Sequence, residues 1–158
     1  MKAILCKKFG PVSQLSWDET PNPVAGPGEV VIDVKAAGLN YPDNLIVQGL
    51  YQFKPELPFS PGHEGAGVVS EVGKNVLSLK VGDRVVFFKG FGAFAEKIVV
   101  PESFAFSIPK SFFSSNKYCD LLFHASFTKF TGPAKLFLNH NAVVNFVFRK
   151  SKIKTSIF

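Results

Sequence analysis

Cysteine is scarce in this chain: Cys6 and Cys119 are the two among 158 residues. A pair separated so widely makes no disulfide framework, and no closely spaced set exists for a structural zinc. Glycine and acid are missing from one end. Twelve of the 13 glycines precede residue 111, and after that point Asp120 is the one acidic residue, against seven Lys and Arg. The first 110 residues hold 11 basic and 11 acidic residues, so the formal charge of +6 belongs wholly to the tail. Long apolar runs are absent too. The start, "MKAILCKKFG", is too short in apolar residues for a signal-peptide core. The run "LFLNHNAVVNFVF" has 13 residues and contains His140 and three asparagines, too short and polar to span a bilayer. A soluble, cytoplasmic protein with no membrane partner is the expectation.

What is present divides at the same place. At 46% hydrophobic residues the chain can bury a core. Residues 1–110 are charge-balanced and punctuated by Gly and Pro, whereas residues 111–158 are basic and hold nine of the 18 phenylalanines. We read 1–110 as a domain and 111–158 as a divergent tail, partly helical or disordered. Within the tail, Phe123, Phe127 and Phe130 would share one face of a helix.

The domain reads as short strands between turns. "EVVIDVKAAG" alternates, with Val30, Ile32 and Val34 on one face and Val31, Asp33 and Lys35 on the other. "GAGVVSEVG", "VGDRVVFFKG", "AFAEKIVVP" and "SFAFSIP" give four more strands. Such spacing predicts a small antiparallel barrel or sandwich. One helix interrupts them, over "YPDNLIVQGL", with Pro42 expected at its first position.

Two glycine clusters raise the question of chemistry. "GFGAFA", residues 90–95, matches G-x-G-x-x-A as letters, but a strand rather than a helix comes after it. A dinucleotide fingerprint needs the helix, so a glycine-eased hairpin is expected there. "PGHEGAGVV" sets His63 and Glu64 among three glycines, where backbone can approach a ligand closely. His63 is either a functional donor, ligand or proton carrier, or, with Glu64, a turn residue beside a close-packed strand.

Taken in order, "AAGLNYPDN", "PGHEGAGVVSEVG", "VGDRVVFF" and "GAFAEKIVVP" resemble a known family. Residues 1–110 are similar to the N-terminal, GroES-like catalytic domain of the medium-chain dehydrogenase/reductase superfamily, in particular its zinc-independent quinone oxidoreductases. The resemblance implies a mainly β fold, a partly open GroES-like barrel with short helices. It also implies NADPH as cofactor and a quinone or enone (α,β-unsaturated carbonyl) as substrate, in the cleft between two domains, with a homodimer possible. Asn40 would stand beside the nicotinamide or the substrate carbonyl as an amide donor. Tyr41 and Tyr51 would wall the substrate, Ile46 would lie near the cofactor ring, and His63 would line the same cleft. Asp43 would orient its neighbours, or serve only as a helix-start residue. No residue is assigned as acid, base or nucleophile.

Zinc-dependent relatives carry Cys-His where this chain has Asn40-Tyr41, and Asn is a poor zinc ligand. No metal is expected, although Gly62-His63-Glu64 is closer to the zinc-dependent pattern. The resemblance stops after "FSIPKS": Gly132 is the lone glycine from residue 111 to the end, so no glycine turn for phosphate and no complete Rossmann domain is expected. We therefore expect a truncated or frameshifted family member, inactive alone and holding NADPH weakly. The alternative is a non-catalytic barrel module whose basic tail binds a partner or nucleic acid, although nucleic acid is not the expected partner.

Overall fold

Alternating apolar residues make one face of each strand sticky, and antiparallel pairing joins those faces into a core. The computed structural model describes residues 1–108 together with the backbone of Phe146 and Val147. The strands are β1 (Lys2–Leu5), β2 (Ser16–Glu19), β3 (Glu29–Gly38), β4 (Glu64–Val72), β5 (Arg84–Phe88), β6 (Lys97–Pro101), β7 (Ala105–Ser107) and the short β8 (Phe146–Val147). Among the described residues a single α-helix, α1 (Tyr41–Val47), lies between β3 and β4. Two 3-10 turns, Val12–Gln14 and Glu102–Phe104, complete the elements.

The larger sheet runs β6-β3-β4-β5-β7, with every pairing antiparallel. It does not close on itself. β6 covers β3 only along Glu29–Asp33, and β8 meets the same strand further on, at Ala36 and Ala37. The β1–β2 pair forms a separate two-stranded sheet, tied to the first by a bridge between Ala3 and Ala95. This is the mainly β, partly open architecture that the family resemblance implied.

β3 keeps its expected alternation, with Val30, Ile32 and Val34 in the main core and Lys35 exposed. Register shifts between Val31 and Ile32 and between Val34 and Ala36 mark bulges, which add local twist and bend the strand. Val69 of β4, Val85 and Phe87 of β5, and Ile98 and Val100 of β6 meet it. Burying each such side chain stabilises the fold by about 1.5–3 kcal/mol.

Two expectations are corrected, and one pair of strands is new. The β1–β2 hairpin went unread, because "KAIL" and "SWDE" are four residues each and the second is mostly polar. Pro42 is the second helical residue; Tyr41 is the first. The segment "GFGAFA" is no hairpin, since β5 and β6 are not neighbours. It carries the chain across the sheet, and β6 begins only at Lys97. The reading of a helix through Phe123, Phe127 and Phe130 falls outside the described residues, as does the rest of the tail's expected character.

Candidate functional site

The site is built where β3 gives way to α1. Asn40 caps the helix with an extended backbone (φ −126°, ψ 159°). The Asp43 N–H donates to the Asn40 carbonyl at 3.0 Å, and Asp43 Oδ2 accepts the Asn40 N–H at 2.8 Å. A first-turn N–H has no partner within a helix, so Pro42 loses nothing there. A carboxylate in the first turn also faces the positive end of the peptide dipoles. These local rules explain why "NYPDN" starts a helix.

Its side chains then reach β4. Asp43 is 2% exposed, the buried charged side chain among the described residues. Its Oδ1 lies 3.0 Å from His63 Nδ1, and the His63 ring meets Phe88 edge-on at 5.2 Å. Burial works against the charged imidazole. The Asp43 hydrogen bond and the charges of Asp43 and Glu64 outweigh it, so the His63 pKa is raised above its ordinary 6.5. A second crosslink runs in parallel: Asn40 Nδ2 donates to Glu64 Oε1 at 3.0 Å. Gly38 makes room for it, because a Cβ there would fall 2.3 Å from Glu64 Oε1. Two bonds thus pin the helix start to His63 and to Glu64, the first residue of β4.

Beside this network is a cavity of about 300 Å³. Leu15, Leu39, Val47 and Phe94 give it apolar walls, while Asn40, Asp43 and Asn44 bring polar groups to it. Gly62 lies behind the Phe94 ring. Its φ is +87°, and a Cβ on it would come within 2.4 Å of the Phe94 ring. Tyr41 also lines the cavity and is 71% exposed, which puts it at the mouth.

Of the residues expected from sequence, Asn40, Tyr41 and Asp43 come together on the cavity. His63 joins them through Asp43 without forming its wall. Ile46 and Tyr51 are elsewhere: Ile46 is buried with Cys6, Val47 and Phe59, and Tyr51 packs against that cluster. Phe94, Asn44 and Glu64 were missed as site residues. Glu64 had been noticed beside His63, but nothing in the sequence tied it to Asn40. Phe94 gave no signal, because the backbone its ring packs against is 32 positions away, at Gly62.

The residues fit the ring of a nicotinamide or of a carbonyl substrate, one at a time, and not a whole dinucleotide. A cavity of this volume, with an amide and one flat aromatic wall, suits a single planar ring. Among the described residues nothing suits the phosphates, since α1 has seven residues and comes after Asn40 rather than a glycine turn. Nor do the described residues bring three metal-ligating side chains together. His63 Nδ1 is engaged by Asp43, and Asn40 offers an amide.

The comparisons agree with this architecture. The alcohol dehydrogenase GroES-like domain family matches residues 26–110. A rat synaptic vesicle membrane protein VAT-1 homolog is 38% identical over 113 residues, covering 70% of this chain and 28% of that protein. Rat quinone oxidoreductase-like protein 2 is 44% identical over 91 residues, covering 58% of this chain and 26% of that one. The chain therefore spans about a quarter of the length of these curated relatives. Escherichia coli quinone oxidoreductase, solved in complex with NADPH, superposes with a TM-score of 0.68 at 32% identity, over 75% of this chain and 36% of that one. Strand order, the Asn40–Asp43 helix start and these matches converge: the chain belongs to the alcohol dehydrogenase GroES-like domain family, within the medium-chain dehydrogenase/reductase superfamily.

Proposed function

We propose that residues 1–110 form the substrate side of a metal-free, NADPH-dependent reductase site for a quinone or an α,β-unsaturated carbonyl, in a cytoplasmic protein. The observation that carries this reading is the Asn40–Asp43–His63–Glu64 network fixed against a ring-sized cavity. When bound, reduced nicotinamide supplies the hydride. The chain's own residues supply position and polarity. Asn40 has two amide hydrogens; one is held by Glu64, and the other is available to a substrate carbonyl oxygen. Asp43 fixes the backbone that carries Asn40. His63, protonated more readily than a free imidazole, balances the buried Asp43 charge. Leu39, Val47 and Phe94 keep water from the ring. The described residues offer no phosphate site, so phosphate binding would fall to a cofactor domain.

A chimera tests the reading. Residues 1–110 would replace the matching part of Escherichia coli quinone oxidoreductase. NADPH-dependent quinone reduction is expected from the chimera and not from the chain alone. Asn40→Ala in the chimera should lower kcat/KM by about tenfold or more, as for a lost carbonyl donor. A folded but inactive chimera would overturn the assignment. Activity of the isolated chain would overturn the need for a second domain.

A further inference from the structure

A second concavity, of about 700 Å³, shares no lining residue with the cavity at α1. Phe53 and Phe91 stand in its wall with their rings stacked at 5.9 Å and 26°. Lys54, Lys89 and Lys97 also line it, and they are not equivalent. Lys97 is paired with the Asp33 carboxylate. Lys54 is exposed. Lys89 is partly buried, and its Nζ donates to the Val99 carbonyl at 2.8 Å, an acceptor that also lines the cleft.

We propose that Lys89 is a reactive amine, and that the cleft takes an aromatic aldehyde whose ring lies against Phe53 and Phe91 and whose carbonyl condenses with Lys89. Three observations converge on it. A carbonyl acceptor orients an amine without holding it charged, as a carboxylate would. The stacked phenylalanine pair offers a flat apolar face for a ring. The cleft is within the size of small-molecule sites. Burial lowers the Lys89 pKa below its usual 10.5, and the charge of Glu29 acts against that lowering. The other charged groups at the cleft are Lys54, Glu56, Lys97 with its Asp33 partner, and the N-terminal ammonium of Met1, which donates to the Thr20 carbonyl.

The chemistry is closed. The neutral Nζ lone pair attacks the aldehyde carbon, forming the C–N bond, and the carbonyl oxygen takes up the amine's protons. Water leaves, and an imine remains. Sodium cyanoborohydride then delivers hydride to the imine carbon while the nitrogen gains a proton from water, which fixes the adduct as a secondary amine. This site is independent of the reductase reading and uses neither NADPH nor the α1 cavity.

The test uses the full chain, benzaldehyde and sodium cyanoborohydride, with the modified lysines mapped by peptide mass spectrometry. The expected result is labelling of Lys89 several-fold faster than Lys54, saturating with benzaldehyde at Lys89 alone. Phe53→Ala should abolish that saturation and leave Lys54 unchanged. Labelling that tracks exposure, with Lys54 ahead of Lys89, would overturn the proposal. So would a Lys89 rate that rises linearly with benzaldehyde. Both comparisons are internal to the unmutated chain and hold whether or not a Lys89→Met variant folds.

Discussion

Replacing Asp43 by Asn tests the hydrogen-bonded centre of the site. The amide oxygen of Asn can still accept the Asn40 N–H, so the helix start keeps its cap. What changes is the His63 contact: with the amide oxygen held by the Asn40 N–H, the amide NH2 faces His63 Nδ1, so a protonated ring meets donor against donor and the charge-assisted bond at 3.0 Å is lost. Bonds to charged groups contribute about 1.5–3 kcal/mol, against about 1 kcal/mol for neutral ones. Asp43 is 2% exposed and the His63 side chain 16%, so solvent screens this pair weakly. We expect Asp43→Asn to destabilise the chain by about 1.5–3 kcal/mol where His63 is protonated. Because folding raises the His63 pKa, its contribution is fully present below the unfolded value of 6.5. It fades as pH rises through the higher folded value. The loss caused by Asp43→Asn should therefore be larger on the acid side of neutrality than on the alkaline side. Urea unfolding across that range measures it, and imidazole NMR tracks His63 itself. A His63 pKa at or below 6.5 in the unmutated chain would refute the reasoning. An equal loss at both ends of the range would do the same.

Other substitutions separate the site from the scaffold. Gly38→Ala places a Cβ 2.3 Å from Glu64 Oε1 and should displace that side chain. Loss of its bond to Asn40 should lower stability by about 1 kcal/mol in urea unfolding, with little change in the sheet's circular dichroism. Gly62→Ala combines a left-handed backbone with a clash against Phe94. Backbone strain of about 1–2 kcal/mol and overpacking of about 1–3 kcal/mol should together deform the cavity and lower the thermal midpoint. Gly67→Ala brings a Cβ to 2.2 Å from the Asp33 carbonyl oxygen, which is backbone and cannot swing aside. It should destabilise the sheet by a similar amount through β3–β4 while leaving the α1 cavity's ligand preference intact, a contrast that ligand titration can read.

Strands β3 to β7 were legible because each carries its own period. Val30, Ile32 and Val34 specify a buried face without reference to any other segment. The start of α1 was legible for a related reason, since Asn40, Pro42 and Asp43 act within a single turn. The site was only half legible. Family resemblance pointed to Asn40 and His63 separately, but the Asp43–His63 and Asn40–Glu64 bonds join residues 20 and 24 positions apart. No local rule encodes such a pairing; the register of β3 on β4 does. Ile46 shows the opposite limit. Its side chain turns with the helix into the cluster with Cys6 and Phe59, and the rotation of about 100° from one residue to the next decides between core and cavity. Glycine has the same ambiguity. Gly62 and Gly38 matter through atoms of Phe94 and Glu64 that only the fold brings near them.

The account depends most on the α1 cavity taking a planar carbonyl ring beside Asn40. Titrating the isotope-labelled chain with duroquinone, monitored by amide and side-chain NMR, measures this directly. Saturable shifts should centre on Asn40, Tyr41, Asp43, Asn44 and Phe94, and Asn40→Ala should weaken them. Shifts that never saturate, or that gather away from these residues, would contradict the account.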